Sequence, residues 1–414
     1  MHSDVKMISM QINNFMNVKN GSIHMKDHIL GIFGQNGSGK SAVIHVFNIL
    51  KYALISKPIA DVYSSCIALK ADQTTLSFKL MVGEHHVTYT FSLRAMIQEG
   101  EKKRLTISHE RLTYDKAVID TDTEEPFILQ DKPFSFDDPQ KRIDQLVAKG
   151  LCHKRGQSYL FSSKLRSALK KSEIICILKR LEDYGRNELI VDDPIMQNDD
   201  TLQLFGKNNF HVSFALDGVT SIPENFLMDA QAAIDKLNIV LPNLIPHLTL
   251  GLQVIGSHLN RKSEVVAECE LVSHKNEEYI PLSKESVGIK KLLSITSLFL
   301  QSFHHPSSMI VIDDLDTCIF EYLLGEVLRI MMRQGKGQFL FTAHNLRVLE
   351  VLDQNQVIFT TTNNENRYVY LTHVRKNENL RQYYIRNILI DEQKETLYDY
   401  IPNFDIAIAF LEAQ

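Results

Sequence analysis

Apolar and polar residues alternate with period two over residues 7–12 and 21–25, which predicts two strands joined through the polar, turn-rich stretch 13–20. An unbroken apolar run, Ile29-Leu30-Gly31-Ile32-Phe33, predicts a buried strand, and a helix-like pattern covers 42–54. Alternation returns at 75–82, 86–93 and 104–114, separated by Gly83-Glu84 and Gln98-Glu99-Gly100-Glu101, which predicts an antiparallel meander. Residues 140–184 carry a helical pattern, and 223–237 reads as a helix with Pro223 near its first turn. Two further strands are expected at 247–255 and 264–272 around a turn at 256–262. The last third then predicts a helix from 292, strands ending at Ile312 and Thr342 with a helix over 319–333 between them, strands at 357–361 and 367–371, and helices at 379–389 and 404–413. The expected fold class is therefore α/β, with an antiparallel meander and a helical insertion. The expected domains are 1–139, a mainly helical 140–243, and 244–414.

Between the apolar strand and the helix at 42 lies Gly34-Gln35-Asn36-Gly37-Ser38-Gly39-Lys40-Ser41, which fits G-x-x-x-x-G-K-[ST] in a strand-loop-helix context. Glycines let the backbone turn its N–H groups inward around phosphate oxygens, and the helix start adds its positive dipole end. Gly34, Asn36, Gly37, Ser38, Gly39, Lys40 and Ser41 are the candidate nucleotide-binding residues. Lys40 reaches the β- and γ-phosphates in such a loop, and the Ser41 hydroxyl ligates Mg²⁺. Met309-Ile310-Val311-Ile312 runs into Asp313-Asp314, which makes Asp313 the candidate Mg²⁺ ligand and Asp314 the candidate base that polarises water. His344 ends the next strand, where a residue sensing the γ-phosphate belongs. Ser286-Val287-Gly288 opens a helix, so Ser286 and Gly288 are either an anion-binding helix start or an ordinary N-cap. ATP and Mg²⁺ are the expected cofactors.

With 44% hydrophobic and 23% charged residues in 414, the chain reads as globular. A formal net charge of −5 argues against a broad hold on nucleic acid. The basic row Lys164, Arg166, Lys170, Lys171, Lys179 and Arg180 leaves nucleic acid open as a partner, against the plainer reading of a solvated face. Asp192-Asp193 and Asn198-Asp199-Asp200 read as an exposed loop. The acidic stretch 120–125 reads as a solvated hairpin, because a D-x-D metal site needs a further carboxylate on a rigid strand. Five cysteines without C-x-x-C spacing suggest neither a disulfide framework nor a zinc site. Neither an export signal nor an apolar run long enough to span a bilayer is visible, so the expected location is cytoplasmic, without a membrane partner.

The order of Gln35-Asn36-Gly37-Ser38-Gly39-Lys40-Ser41, Glu285-Ser286-Val287-Gly288-Ile289-Lys290-Lys291, Ile312-Asp313-Asp314-Leu315-Asp316 and Thr342-Ala343-His344-Asn345 resembles the ATP-binding-cassette ATPases. Within them it is similar to the soluble branch of chromosome-maintenance, DNA-repair and overcoming-lysogenization-defect ATPases, above all to AAA-type, ABC-like ATPases of bacterial anti-phage defence. The resemblance implies an ABC-ATPase-like head that pairs with itself in an ATP-dependent homodimer or higher oligomer. It implies that Ser286 and Gly288 complete the ATP site of the second protomer, and that Asp316 lies in the loop linking the two sites. It further implies an ATP-hydrolysing switch that controls a separate effector subunit, with a chromosome-associated or DNA-repair ATPase as the alternative. No sustained heptads between 140 and 260 support the long coiled-coil arms of that alternative. Asp314 stands where the family has Glu, which implies slow hydrolysis. Gln73 is the candidate for the family's Gln loop.

Overall fold

The computed structural model describes all residues except 1–3, 68–70, 98–102, 116, 122–127, 130–131, 134–138, 170–172, 197–200, 207–209, 276–277, 372–373, 375–378, 391–393, 401 and 414. The separator 98–101, most of the acidic stretch 120–125, Lys170, Lys171 and Asn198-Asp199-Asp200 therefore lie wholly or partly outside the described residues. The chain folds into two compact units: unit 1 is Met1–Arg186 with Leu340–Gln414, and unit 2 is Asn187–Phe339.

Unit 1 opens with a hairpin of β1 (Val5–Phe15) and β2 (Val18–His24). Phe15 pairs with Val18, so only Met16 and Asn17 form the turn, and Asn13 faces Asn20 inside the ladder. The loop expected over 13–20 is thus mostly strand. Asparagine reads as a turn residue, yet both of these occupy the paired strands, and the turn falls at Met16, whose φ of 52° is the positive value a two-residue hairpin calls for. β3 (Ile29–Phe33) is buried at every position, which is why its sequence is a continuous apolar run, and it leads into α1 (Lys40–Leu54). β4 (Thr74–Val82), β5 (His85–Ile97), β6 (Lys103–Tyr114) and β7 (Ala117–Asp120) form the expected antiparallel meander, with β4 also paired to β1. The short β8 (Ile128–Leu129) and β9 (Lys132–Pro133) complete an eight-stranded sheet in the order β2-β1-β4-β5-β6-β7-β8-β9.

The helical stretch resolves into α2 (Pro139–Lys154), α3 (Ser163–Ala168) and α4 (Glu173–Asp183). Its basic row is not one exposed face. Arg166 pairs with Glu182, and Arg180 is buried.

Unit 2 starts with β10 (Leu189–Asp192), the hairpin of β11 (Thr201–Phe205) and β12 (His211–Ala215), β13 (Thr220–Pro223) and α5 (Leu227–Leu244). β14 (Thr249–Leu259) and β15 (Val265–Lys275) follow, with β16 (Glu278–Pro281) at the edge of β15. The turn expected over 256–262 is shorter, because β14 takes up Ile255 as a bulge, pairs Gly256 with Glu268 and runs on to Leu259. The turn is then closed by Asn260, whose Oδ1 accepts the N–H groups of Lys262 and Glu264. α6 (Val287–His304), β17 (Met309–Ile312) and α7 (Glu321–Gln334) lead to β18 (Gln338–Thr342), which starts in unit 2 and ends in unit 1. Ile234, Leu237 and Leu241 of α5 pack with Leu202, Phe214, Leu250, Leu271 and Leu293 as the core of unit 2. The tail of unit 1 adds β19 (Val357–Thr360), β20 (Tyr368–Val369), α8 (Leu380–Ile390) and α9 (Asn403–Glu412). β19 runs parallel to β3, Phe359 opposite Phe33, and the N–H of Ala343 just past β18 donates to Ile32 O at 3.2 Å.

One buried carboxylate fastens the helical stretch to the meander. Glu110 of β6, with no exposed surface, accepts from Tyr89 OH at 2.7 Å, His153 Nε2 at 2.9 Å, the Tyr159 N–H at 2.7 Å and the Ser158 hydroxyl. Burial alone raises this carboxyl's pKa, and the donors from His153, Ser158 and Tyr89 more than offset it, so Glu110 sits below the usual carboxylate range. A folded-state pKa below the unfolded value of about 4.3 gives stability that is present above that value and is lost as pH falls through the folded pKa. Glu110→Ala, which strands four donors, is expected to cost roughly 3–5 kcal/mol in urea unfolding at neutral pH. Glu110→Gln should flatten the acid limb of the stability profile, and an unchanged acid limb would show that Glu110 is not its source.

Candidate functional site

The loop between β3 and α1 has the backbone its sequence calls for. Gly34, Gly37 and Gly39 have φ of 152°, 74° and 97°, values that a side chain rarely adopts. At Gly34 a Cβ would lie 1.7 Å from Thr360 Oγ1, so the position is closed to every other residue by space as well as by torsion. Gly39 stands at the N-cap of α1 with no side-chain cap, and the first turn of α1 carries no acid. A helix start without a side-chain cap or a nearby acid suits an anion, which the helix dipole favours. Buried Lys40 turns its Nζ back onto Gly34 O at 2.9 Å and Gln35 O at 3.0 Å. Ser41, in the first helical turn, is partly exposed. Nucleotide phosphates and Mg²⁺ fit this cradle: it offers a helix start without a side-chain cap, one buried ammonium and the Ser41 hydroxyl, and it has no carboxylate among its own eight residues.

Residues far away in the chain brace the loop, and sequence reasoning missed them. Thr360 Oγ1 at the end of β19 donates to Ser38 Oγ at 2.6 Å, and Ser38 Oγ donates to Gln35 O at 2.6 Å. Tyr368 OH donates to Gly39 O at 2.7 Å, and Asn17 Nδ2 from the first hairpin donates to Gly37 O. The Asp399 N–H donates to Gln35 Oε1 at 2.8 Å. Arg367, buried, donates through Nη2 to Asn17 O at 2.8 Å and through Nη1 to Thr361 O. Burial lowers its pKa from the usual arginine value, with Tyr368 and Asp399 opposing the shift. Arg367 Nε and Asn17 Oδ1 are buried and find no hydrogen-bond partner among the described residues. Both residues line a cleft of about 230 Å³ that also touches Gln35, Asn36, Gly37 and Asp399. Nothing local marks Thr360, Arg367 or Tyr368, since each becomes relevant only once β19 and β20 lie beside β3.

His344 follows Ala343 at the end of β18, and that end lies beside the end of β3 within unit 1. Gln73 also lies in unit 1, where its Oε1 accepts from Arg94 at 3.3 Å.

Unit 2 holds the remaining candidates. Asp313, buried, follows β17, and Asp314 takes the left-handed conformation with φ of 45°. Asp and Asn tolerate that region better than other side chains because they are short and polar. The pair Asp192-Asp193, expected in an exposed loop, lies at the end of β10, which pairs in parallel with β17. Asp193 is only 1% exposed, its Oδ1 accepts the Ile195 N–H at 3.1 Å, and Asp192 pairs with Lys291. Two carboxylates after a short apolar run look like a turn, but here the burial comes from a neighbouring strand more than 100 residues away in sequence. Among the described residues no group of three His, Cys, Asp or Glu side chains is arranged to hold a metal by itself.

Ser286 is the N-cap of α6, its Oγ accepting the Ile289 N–H at 3.3 Å, and it is exposed. Gly288 has a further, internal reason to be glycine: a Cβ there would lie 2.9 Å from Cys318 O, in the loop after Asp316. The start of α6 and the loop following Asp313-Asp314 are therefore in close contact inside unit 2.

The architecture is the α/β fold of a P-loop ATPase head, with its antiparallel sheet. Residues 9–209, just under half the chain, match a family model described as an AAA domain. No curated protein matches the chain's sequence. Among solved structures, the chain is similar to the SmcHead bound to the C-winged helix domain of ScpA, at 13% identity and a TM-score of 0.50, covering 89% of this chain and 98% of that one. It is also similar to the Smc head domain with an extended coiled coil from Pyrococcus furiosus, at 12% identity and a TM-score of 0.47, covering 94% and 99%. Among the described residues no helix is long and apolar enough to cross a membrane.

Proposed function

We propose that the protein binds and hydrolyses ATP as a nucleotide-gated switch whose active form is a pair of copies. The observation that carries this reading is the loop itself: three glycines at positive φ, an uncapped α1 and the buried Lys40 Nζ at its centre. Gly34, Asn36, Gly37, Ser38, Gly39, Lys40 and Ser41 hold the phosphates, with Ser41 and Asp313 as Mg²⁺ ligands. Bound Mg²⁺ supplies charge neutralisation on the phosphates. Asp314 orients and deprotonates the attacking water, and His344 senses the γ-phosphate. Ser286 and Gly288 serve the ATP of the second copy, for which an exposed helix start is available. A protein partner reads the state of the switch. The SmcHead has such a partner in the winged-helix domain of ScpA, and the motif resemblance puts the effector of an anti-phage system in that place here. The chromosome-associated reading is the second choice, because among the described residues of the basic row Arg166 pairs with Glu182 and Arg180 is buried.

Pairing is tested with two variants. Lys40→Ala removes a charge-assisted contact worth about 1.5–3 kcal/mol, a loss of roughly 10- to 100-fold in ATP affinity. Val287→Asp places a like charge at the exposed start of α6 without crowding Cys318, which a larger residue at Gly288 would do. At an ATP concentration that just saturates the natural site each variant alone should show little activity, and a mixture should regain ATPase activity through pairs holding one intact site. A mixture no more active than its parts, under conditions where pairs form, contradicts the shared site.

Asp314 is one methylene shorter than Glu, so the water is held less well and turnover is slow. In single-turnover hydrolysis, Asp314→Asn should reduce cleavage by about 10²- to 10⁴-fold with ATP binding retained. Asp314→Glu should match or exceed the natural chain. Normal cleavage by the Asn variant removes Asp314 from the mechanism.

A further inference from the structure

After α8 the chain returns to the nucleotide loop before it forms α9. Glu395 accepts the side-chain amides of Asn363 and Asn366, both at 2.9 Å, and the Thr362 N–H donates to Thr396 O at 2.9 Å. The Asp399 N–H then reaches Gln35 of the loop. α9 starts at Asn403, four residues past that anchor, a tether that spans at most about 14 Å. The helix is therefore held at the loop's side of unit 1.

No residue of α9 is buried. Phe404, Phe410 and Leu411 are 71%, 79% and 70% exposed, and Ile406 is exposed as well. Phe404, Ile408 and Leu411 recur at i, i+4 and i+7, the anchor spacing of a helix that lies in a groove. With Ile406 and Phe410 on its flanks, the helix is apolar on most sides, a pattern that water does not tolerate without a cover. Its only charges are Asp405 and Glu412, one near each end.

Unit 2 carries a surface of the complementary kind. A groove of about 280 Å³ runs between α5, α6 and α7, lined almost wholly by carbon from Val240, Leu244, Phe299, Phe303, Val327 and Ile330. Beside it Lys236 of α5 borders an adjoining pocket with His304 and His305, and that pocket shares Val240, Leu300 and His304 with the groove. Burial lowers the pKa of His305, and His304, Lys236 and Lys336 lower it further. An apolar groove with a cationic border fits an apolar helix with an acid near each end.

We propose that this groove is the docking site for α9 of a second copy of the chain. Phe404, Ile408 and Leu411 enter the groove, and Asp405 and Glu412 face the cations beside it. On unit 2 the contact uses the groove beside the end of α6 rather than the start of α6 used in the nucleotide-dependent pairing, and it forms without ATP. Reciprocal exchange of α9 between two copies closes a dimer, so both helices are covered by one symmetric arrangement.

The test uses full-length protein with the exposed thiols removed as Cys176→Ser and Cys318→Ser. One preparation carries Phe410→Cys on the flank of α9, and a differently tagged one carries Ile330→Cys at the groove. Mixed without nucleotide and oxidised, they should give the disulfide-linked heterodimer in preference to either homodimer. Absence of the heterodimer, or an internally closed monomer when both cysteines are placed in one chain, overturns the proposal in favour of an uncovered helix or of the chain's own groove. Phe404→Asp with Leu411→Asp alters only exposed side chains, so folding is retained. Loss of two anchors should weaken the nucleotide-free dimer by more than about tenfold in sedimentation equilibrium. A natural chain that is monomeric at about 100 µM, far above the range of a stable pair, would equally overturn it.

Discussion

A loop that turns its N–H groups toward an anion points them away from its own carbonyls, so it cannot hold its shape by internal hydrogen bonds alone. Here the missing support comes from outside. Thr360 fills the space where Gly34 would have a side chain, Tyr368 and Asn17 hold the Gly39 and Gly37 carbonyls, and Asp399 fixes Gln35. Lys40 completes the cradle by bonding the first two carbonyls, which keeps its ammonium at the centre of the loop. The parallel pairing of β3 with β19 is what brings Thr360 to Gly34, and the β1–β2 hairpin is what brings Asn17 to Gly37. Much of unit 1 is organised to keep eight residues in a conformation they would not hold by themselves.

Unit 2 shows the same economy around its acids. Asp314 sits at positive φ directly after buried Asp313, and the start of α6 comes so near the following loop that Gly288 leaves no room for a Cβ. A shift at either element is passed to the other through that contact, which gives the proposed switch a physical path at this end of unit 2.

The loop was legible in the sequence because it is local: strand, glycines, lysine and helix lie within about two dozen consecutive residues and obey simple torsional rules. The meander was legible for the same reason, since period-two alternation depends on neighbours. What stayed hidden depends on distant pairing. Thr360, Arg367 and Asp399 carry no local mark of their role, and Asp192-Asp193 reads as a loop until β10 is placed against β17. The hairpin at Met16-Asn17 was blurred by asparagines that resemble turn residues and serve as strand. Gly288 was legible as part of a helix start, but its contact with Cys318 was not.

Nucleotide proposed for this loop acts on the tail through the hydrogen bond between Gln35 and the Asp399 N–H. Hydrogen exchange of the intact protein, with and without Mg-ATP, tests it most directly. Slower exchange is expected over residues 34–42, where amides gain phosphate partners, together with altered protection over residues 395–400, whose amide at Asp399 depends on Gln35. Unchanged exchange in the loop at saturating Mg-ATP would contradict the account.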